Sequence, residues 1–371
     1  MTSAFKVSLL QARRFLLRSL GLSTPFSDIG QTIAHLGYVQ MDPINVCGRM
    51  HDLILRNRVE NYREGDLLRF LYGTGATLKP KQRVAFEHYL PSGILVALPI
   101  EAWPYLTPRM QARRTAQGFY SGQLSSDEEK LAQHILKEIT TRGALTSDDI
   151  EHEASATTGW GGRSRQVKTV LEKLFVHGRV LITSRNNHFR RIYDLPERVL
   201  PRRVLNAKPA SLEEMDRWSV SLHMKQHRLV RLKKAELSLI RDLVQLVSVA
   251  EYSGSFHCLH NDIAHFDPDQ NVIATPGEPI LLAPLDPLIY DRRVTAVLWD
   301  FKYTWEVYTP DHKRTRGYYA LPILSREEIV GHVDPKADRK KKKLQIVSRY
   351  VKRGHRVAVA VARLARFLGL S

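Results

Sequence analysis

Within the stretch GYVQMDPINV, Gly37 to Val46, two residues are of types that do chemistry. Gln40 and Asp42 stand two apart, and in extended backbone residues i and i+2 face the same side. An amide that both donates and accepts then lies beside a carboxylate, with the apolar Met41 turned the other way. Such a pair can hold and polarise a water and can stabilise a cation that develops beside it. The residues alone also allow a plainer reading, a strand end in which Asp42 before Pro43 makes a turn.

The elements that would position this pair come just before it. VSLLQARRFLLRSLGL has apolar residues at helical spacing and ends at a Gly. PFSDIGQTIAHL predicts a second helix, stopped by Gly37. Two short helices followed by an extended segment fit a helix-turn-helix derivative.

The totals bound the partners. The chain has 371 residues, 43% apolar and 25% charged, which suits a globular protein of several small domains. Lys and Arg number 56 against 38 Asp and Glu, a net charge of +18. Such a balance favours a polyanion, nucleic acid first and an anionic membrane surface second. Cys47 and Cys258 lie far apart in no ligand-spaced motif, which suits a reducing compartment. The start, MTSAFKVSLLQARRFLL, has no signal-peptide pattern. The late apolar run RVAVAVARLARFLGL is short and broken by Arg363 and Arg366. A soluble, cytoplasmic protein is expected.

The clearest module spans about 125–195. SSDEEKLAQHILKEITTRG predicts an N-capped amphipathic helix, LTSDDIEHEA a short second one, and GGRSRQVKTVLEKLFVHGRV a third, basic at its start through Arg163 and Arg165. RVLITSRNNHFRRIYDL then predicts two strands around a Ser-Arg-Asn-Asn turn. Three helices and a hairpin are the order of a winged helix, whose third helix meets DNA. From Leu281 the chain is β-rich. YTWEVYTPDHKRTRGYYALPIL predicts a β-hairpin with Lys313, Arg314 and Arg316 at a cationic tip. From Lys336 onward there are twelve Lys or Arg and one acid, Asp338. That run, with Lys336, Arg339 and Lys340, predicts phosphate contacts.

Other chemistries find little support. FHCLHND places His257 and His260 around Cys258 but lacks a second ligand cluster. DPDQNVIATPGE has Asp267, Asp269, Asn271 and Glu278 at calcium-loop positions, yet Val272 stands where Gly is needed and Pro276 obstructs the closing helix. No phosphate-binding Gly loop, nucleophile elbow or nuclease-like acidic cluster occurs. No metal or cofactor is expected.

LGYVQMDPINV, LLAPLDPLIYDRRV, KRTRGYYALPIL and GHVDPKADRKKKKL together closely resemble the bacterial winged-helix DNA glycosylases of the AlkZ/YcaQ family, over most of the chain. The resemblance implies an α+β protein. Three tandem winged helices would occupy 1–115, 116–204 and 205–280, followed by a barrel-like β-domain at 281–371, around a positive DNA channel. The catalytic motif is Gln-Φ-Gln in the azinomycin-resistance branch and Gln-Φ-Asp in the YcaQ branch, where Φ is apolar. Gln40-Met41-Asp42 matches the second, so the resemblance assigns catalysis to Gln40 and Asp42. It also implies that a hairpin near 309–319 probes the duplex at the lesion, and that the enzyme is a monomer.

The implied activity is that of a monofunctional DNA glycosylase, hydrolysing the N-glycosidic bond of alkylated purines and unhooking interstrand crosslinks in base excision repair. An N7-alkylated guanine is already cationic and leaves without a proton donor. What needs help is an oxocarbenium-like sugar and a water, and a carboxylate serves both. Arg49 and His51 are candidates for contacting the backbone nearby, or for a simple salt bridge or surface pair. Limited base flipping is expected, because the sequence shows no aromatic pocket. Two rivals stand against this: a non-catalytic winged-helix regulator or architectural protein, and a metal-dependent nuclease.

Overall fold

The structure is a computed structural model that describes residues 4–118, 121–150, 162–250, 252–266 and 276–371, with backbone alone for 162–165. It is mixed α and β. Two compact units emerge: Met1–Asp66 with Ser219–Ser371, and Leu67–Trp218.

Two of the apolar cores of the first unit bear on the site. One gathers around the helix Leu9–Ser19, whose Phe15, Leu16 and Leu17 are buried. Ser8 caps this helix through Gln11 in a reciprocal box. Against it lies a three-stranded sheet in which Phe5–Val7 runs parallel to Val244–Val249, which pairs in turn with Ser255–Leu259. The other core joins the short helix Met50–Leu55, the strands Leu321–Ser325 and Glu328–Asp338, and the helix Ala358–Phe367. A buried ion pair lies in this unit. Arg58 donates twice to Asp286, at 2.8 and 2.7 Å, with both side chains fully enclosed. The Asp of LDPLIYDRR is therefore committed to holding the fold.

The β-rich end forms a four-stranded sheet of order Lys343–Val351, Glu328–Asp338, Leu321–Ser325, Ile280–Leu281. This sheet is open rather than barrel-like. Its outer strand, Lys343–Val351, is lined with exposed and charged residues, which discourage further pairing. Pro335 is accommodated inside the Glu328–Asp338 strand at a register shift between Asp334 and Pro335.

In the second unit, the helix Ser126–Arg142 begins with the predicted N-cap, Ser125, which forms a reciprocal box with Glu128. The helix Gly162–Val176 leads into the antiparallel hairpin Leu181–Arg185 and Arg191–Asp194. Asn186 closes its turn by accepting from the backbone N–H of His188 and Arg190, each at 3.0 Å. Arg185 turns inward to the buried Glu87, which also accepts from Tyr72. The predicted short helix after Leu145 is a turn over its described part, 146–150, where Asp149 accepts from Thr146 N and Oγ1. The rest of that segment, and Asp267, Asp269 and Asn271, lie outside the described residues.

Candidate active site

The helix Ile29–Leu36 is capped by Asp28, which accepts from Gln31 N, and it ends at Gly37 with φ +83°. A Cβ at Gly37 would stand 2.6 Å from Leu222, so the turn that launches the motif requires glycine. Gln226 fixes this turn by donating to the carbonyls of Leu36 at 2.9 Å and Tyr38 at 2.7 Å. The motif strand, Val39–Gln40, then alternates as expected. Val39 and Met41 are buried, while Tyr38, Gln40 and Asp42 are half-buried on the other side.

Asp42 Oδ1 accepts from Ile44 N at 2.9 Å, closing an Asx turn across Pro43. Burial pushes the Asp42 carboxyl above its ordinary value, and the Ile44 N–H only partly offsets this. No cation outweighs burial here, despite the basic composition. The following loop is tied down where Ala337 N donates to Val46 O at 3.1 Å. Tyr319, fully buried in the same core as Cys47, feels the Asp42 charge, and its hydroxyl has no hydrogen-bond partner among the described residues. Nothing in the sequence singled out Tyr38 or Tyr319.

The flanking candidates divide. Arg49 is half-buried beside the motif loop and reaches Pro43 O at 3.4 Å. His51 is fully buried, its Nε2 3.7 Å from Asp52, and Asp52 accepts from Tyr62 Oη and Gly65 N. A side chain with no exposure cannot meet a phosphate at the surface, so the structure does not support His51 as a backbone contact. Arg163 and Arg165 begin the helix Gly162–Val176, and their side chains lie outside what is described.

The predicted hairpin at 309–319 is not a hairpin. A 3-10 turn, Glu306–Tyr308, precedes it, and a second, Asp311–Lys313, lies within it. Glu306 organises them: its carboxylate accepts from Thr315 N and Oγ1, Arg316 N and Gly317 N. Burial alone would raise this carboxyl, but these donors outweigh it and bring it to about 2. Asp334 clamps the next residues, accepting from Tyr318 N at 3.0 Å and Tyr319 N at 2.9 Å. Two of the three presumed tip cations are held locally. Arg314 bonds Thr309 O and Asp311 and covers the Tyr318 ring; Arg316 bonds Lys302 O and covers Phe301. Lys313 is exposed.

The long hairpin is instead Glu328–Asp338 with Lys343–Val351, and DRKKKK is its tip. Lys336 and the tip residues Arg339 and Lys340 to Lys343 are exposed, although Arg339 bonds Glu64 at 2.8 Å. Val347 and Tyr350 on the outer strand are 63% and 60% exposed.

Among the described residues no group of three metal-ligating side chains converges, and no helix is long and apolar enough to cross a membrane. With a half-buried carboxylate beside an amide in a basic chain, the geometry suits a hydrolase acting on a polyanion. The fold has a solved counterpart: the Streptomyces sahachiroi DNA glycosylase AlkZ superposes with a TM-score of 0.63, over 99% of this chain and 98% of that one, at 14% identity. The family described as DNA glycosylase AlkZ-like matches residues 33–367. The chain belongs to this AlkZ-like DNA glycosylase family and is a DNA glycosylase.

Proposed function

We propose that Gln40 and Asp42 are the catalytic pair of a monofunctional glycosylase that removes alkylated purines, including N7-alkylguanine and bulky or crosslinked adducts. The observation that carries this is the Asp42 carboxylate, half-buried on the same face as Gln40 and shaped by burial rather than by a neighbouring cation. The C1′–N bond breaks with its electron pair passing to the alkylated base, which leaves neutral. Asp42 stabilises the sugar cation and takes a proton from the water whose oxygen bonds C1′. Gln40 orients that water or the adjacent phosphate. An abasic site results, left to other repair enzymes in the bacterial cytoplasm.

The hairpin Glu328–Asp338 and Lys343–Val351 takes over the duplex-probing role first assigned to 309–319. Its exposed cations and its outward Val347 and Tyr350 support this reading. Arg49, Lys313, Lys336 and Lys340, with Arg163 and Arg165 at the start of their helix, are proposed phosphate contacts. The test is base release in chelator-containing buffer from a duplex bearing one N7-alkylguanine or a nitrogen-mustard crosslink. Tight binding without release, with a preference for sequence over lesion, would favour the regulator reading instead.

A further inference from the structure

Away from the Gln40–Asp42 motif, the first unit contains a cavity of about 350 Å³. Four segments wall it: the turn after the first helix (Ser23), the end of the Met50–Leu55 helix (Arg56, Asn57), residues 276–280, and the last helix (Arg363, Phe367).

The wall is cationic and incompletely satisfied. Arg56 has no carboxylate among its hydrogen-bond or ion-pair partners in the described residues. Its guanidinium reaches only the Leu281 carbonyl, at a long 3.4 Å, and lies over the Phe367 ring at 5.6 Å. Its Nε and the Ser23 hydroxyl are both buried without a hydrogen bond among the described residues. Burial pulls Arg56 down to about 10, with Cys47 acting against this and the nearby Arg363 charge adding to it. Arg56 is half-buried and faces the cavity, so it is only partly desolvated, yet a partly desolvated cation without a counterion still carries a cost. The fully enclosed arginines of this unit each have a carboxylate: Arg58 has Asp286 and Arg228 has Asp262. Arg363 is paired with Glu278 at 3.1 Å, but both side chains are 54% exposed, so the pair is weak and can open. Glu278 shows that an oxyanion is accepted at this wall.

We propose that this cavity is a binding site for a phosphate group, held by Arg56 and Arg363 with the Ser23 hydroxyl as a further donor. Two guanidinium forks match the charge and the several oxygens of a phosphate better than those of a single carboxylate. The space exceeds what one water needs. Glu278 would be displaced from Arg363 on binding, so it acts as a competitor for the site. The inference stands apart from the glycosylase reading, because it needs neither Asp42 nor a lesion.

The test uses the full chain and inorganic phosphate titrated against chloride at constant ionic strength, read by melting temperature. Wild type should show a saturable rise. Arg56→Met, which keeps the aliphatic stem on Phe367, and the more exposed Arg363→Gln should each weaken the phosphate midpoint at least tenfold. Glu278→Gln should tighten it. Repeating the titration with a saturating undamaged duplex separates the sources. If the phosphate belongs to DNA, the duplex abolishes the response and Arg56→Met lowers the salt slope of DNA binding by about one. If it is a free phosphate, both responses persist together. A wild-type response no larger than that of Arg363→Gln, or none beyond chloride, would overturn the proposal.

Discussion

Asp42 holds its charge at a cost, and that cost is measurable. Because burial raises its carboxyl in the folded state, the folded protein takes up a proton more readily there than the unfolded chain does. Stability therefore falls as pH rises from about 3.9, the unfolded value, through the raised folded one. Asp42→Asn removes this penalty while keeping an oxygen that can accept from Ile44 N. The variant should melt higher than wild type at pH 7, and the difference should close on acidification toward pH 4. The same shift moves the acid limb of base release upward from the ordinary aspartate value, since the reaction uses the ionised form. The alternation of buried Val39 and Met41 with half-buried Gln40 and Asp42 was legible in the sequence, because extended backbone has a period of two. The environment of His51 was not. A histidine in MHDLIL reads as a polar interruption, and only the fold shows it enclosed beside Asp52.

The segment 306–319 shows why local pattern misled at the scale of an element. Alternating aromatics around DHKR match a hairpin, yet four donors converge on Glu306, up to eleven residues upstream. Asp334, fifteen and sixteen residues downstream, then clamps the exit. A strand ladder cannot form where the backbone N–H groups are already taken by carboxylates. Glu306→Gln replaces an acceptor-only group by one carrying donors, and should destabilise the protein by about 2–3 kcal/mol in urea at pH 7. The native-state contribution of Glu306 is present above about 4.3, its unfolded value, and is lost as pH falls toward about 2. The gap between wild type and variant should shrink over that window. Gly317→Ala should be worse than its size suggests: at φ +127° its Cβ would stand 2.1 Å from the Asp334 carboxylate. Limited proteolysis should then cut within 306–319. The long hairpin was hidden from the sequence for a related reason, since Pro335 argues against a strand unless a bulge is known to lie there.

Over the whole molecule the net charge of +18 announces a polyanion partner, and the family to which the chain belongs makes that partner DNA. Which cations meet phosphate was not legible, because arginines are consumed inside the fold. Arg58, Arg185 and Arg228 are spent on Asp286, Glu87 and Asp262. A cluster of exposed lysines stands instead at the tip of the long hairpin, where Lys341 also lies 3.9 Å from Asp338. Replacing Lys340, Lys341 and Lys342 together by Ala should reduce the slope of log K against log salt by about 2–3, at roughly 0.9 per phosphate contact. Melting temperature should hardly change, because these side chains are exposed. Replacing Arg314 and Arg316 should do the reverse, costing stability more than salt dependence.

The catalytic claim is tested most directly by single-turnover base release from an N7-alkylguanine duplex, in chelator, for wild type, Asp42→Asn and Gln40→Ala, each first matched for DNA binding. Wild type should release the base, Asp42→Asn should lose at least about a hundredfold (~2.7 kcal/mol), and Gln40→Ala should also be slowed. Release by Asp42→Asn at the wild-type rate would contradict the claim and move the chemistry to another residue.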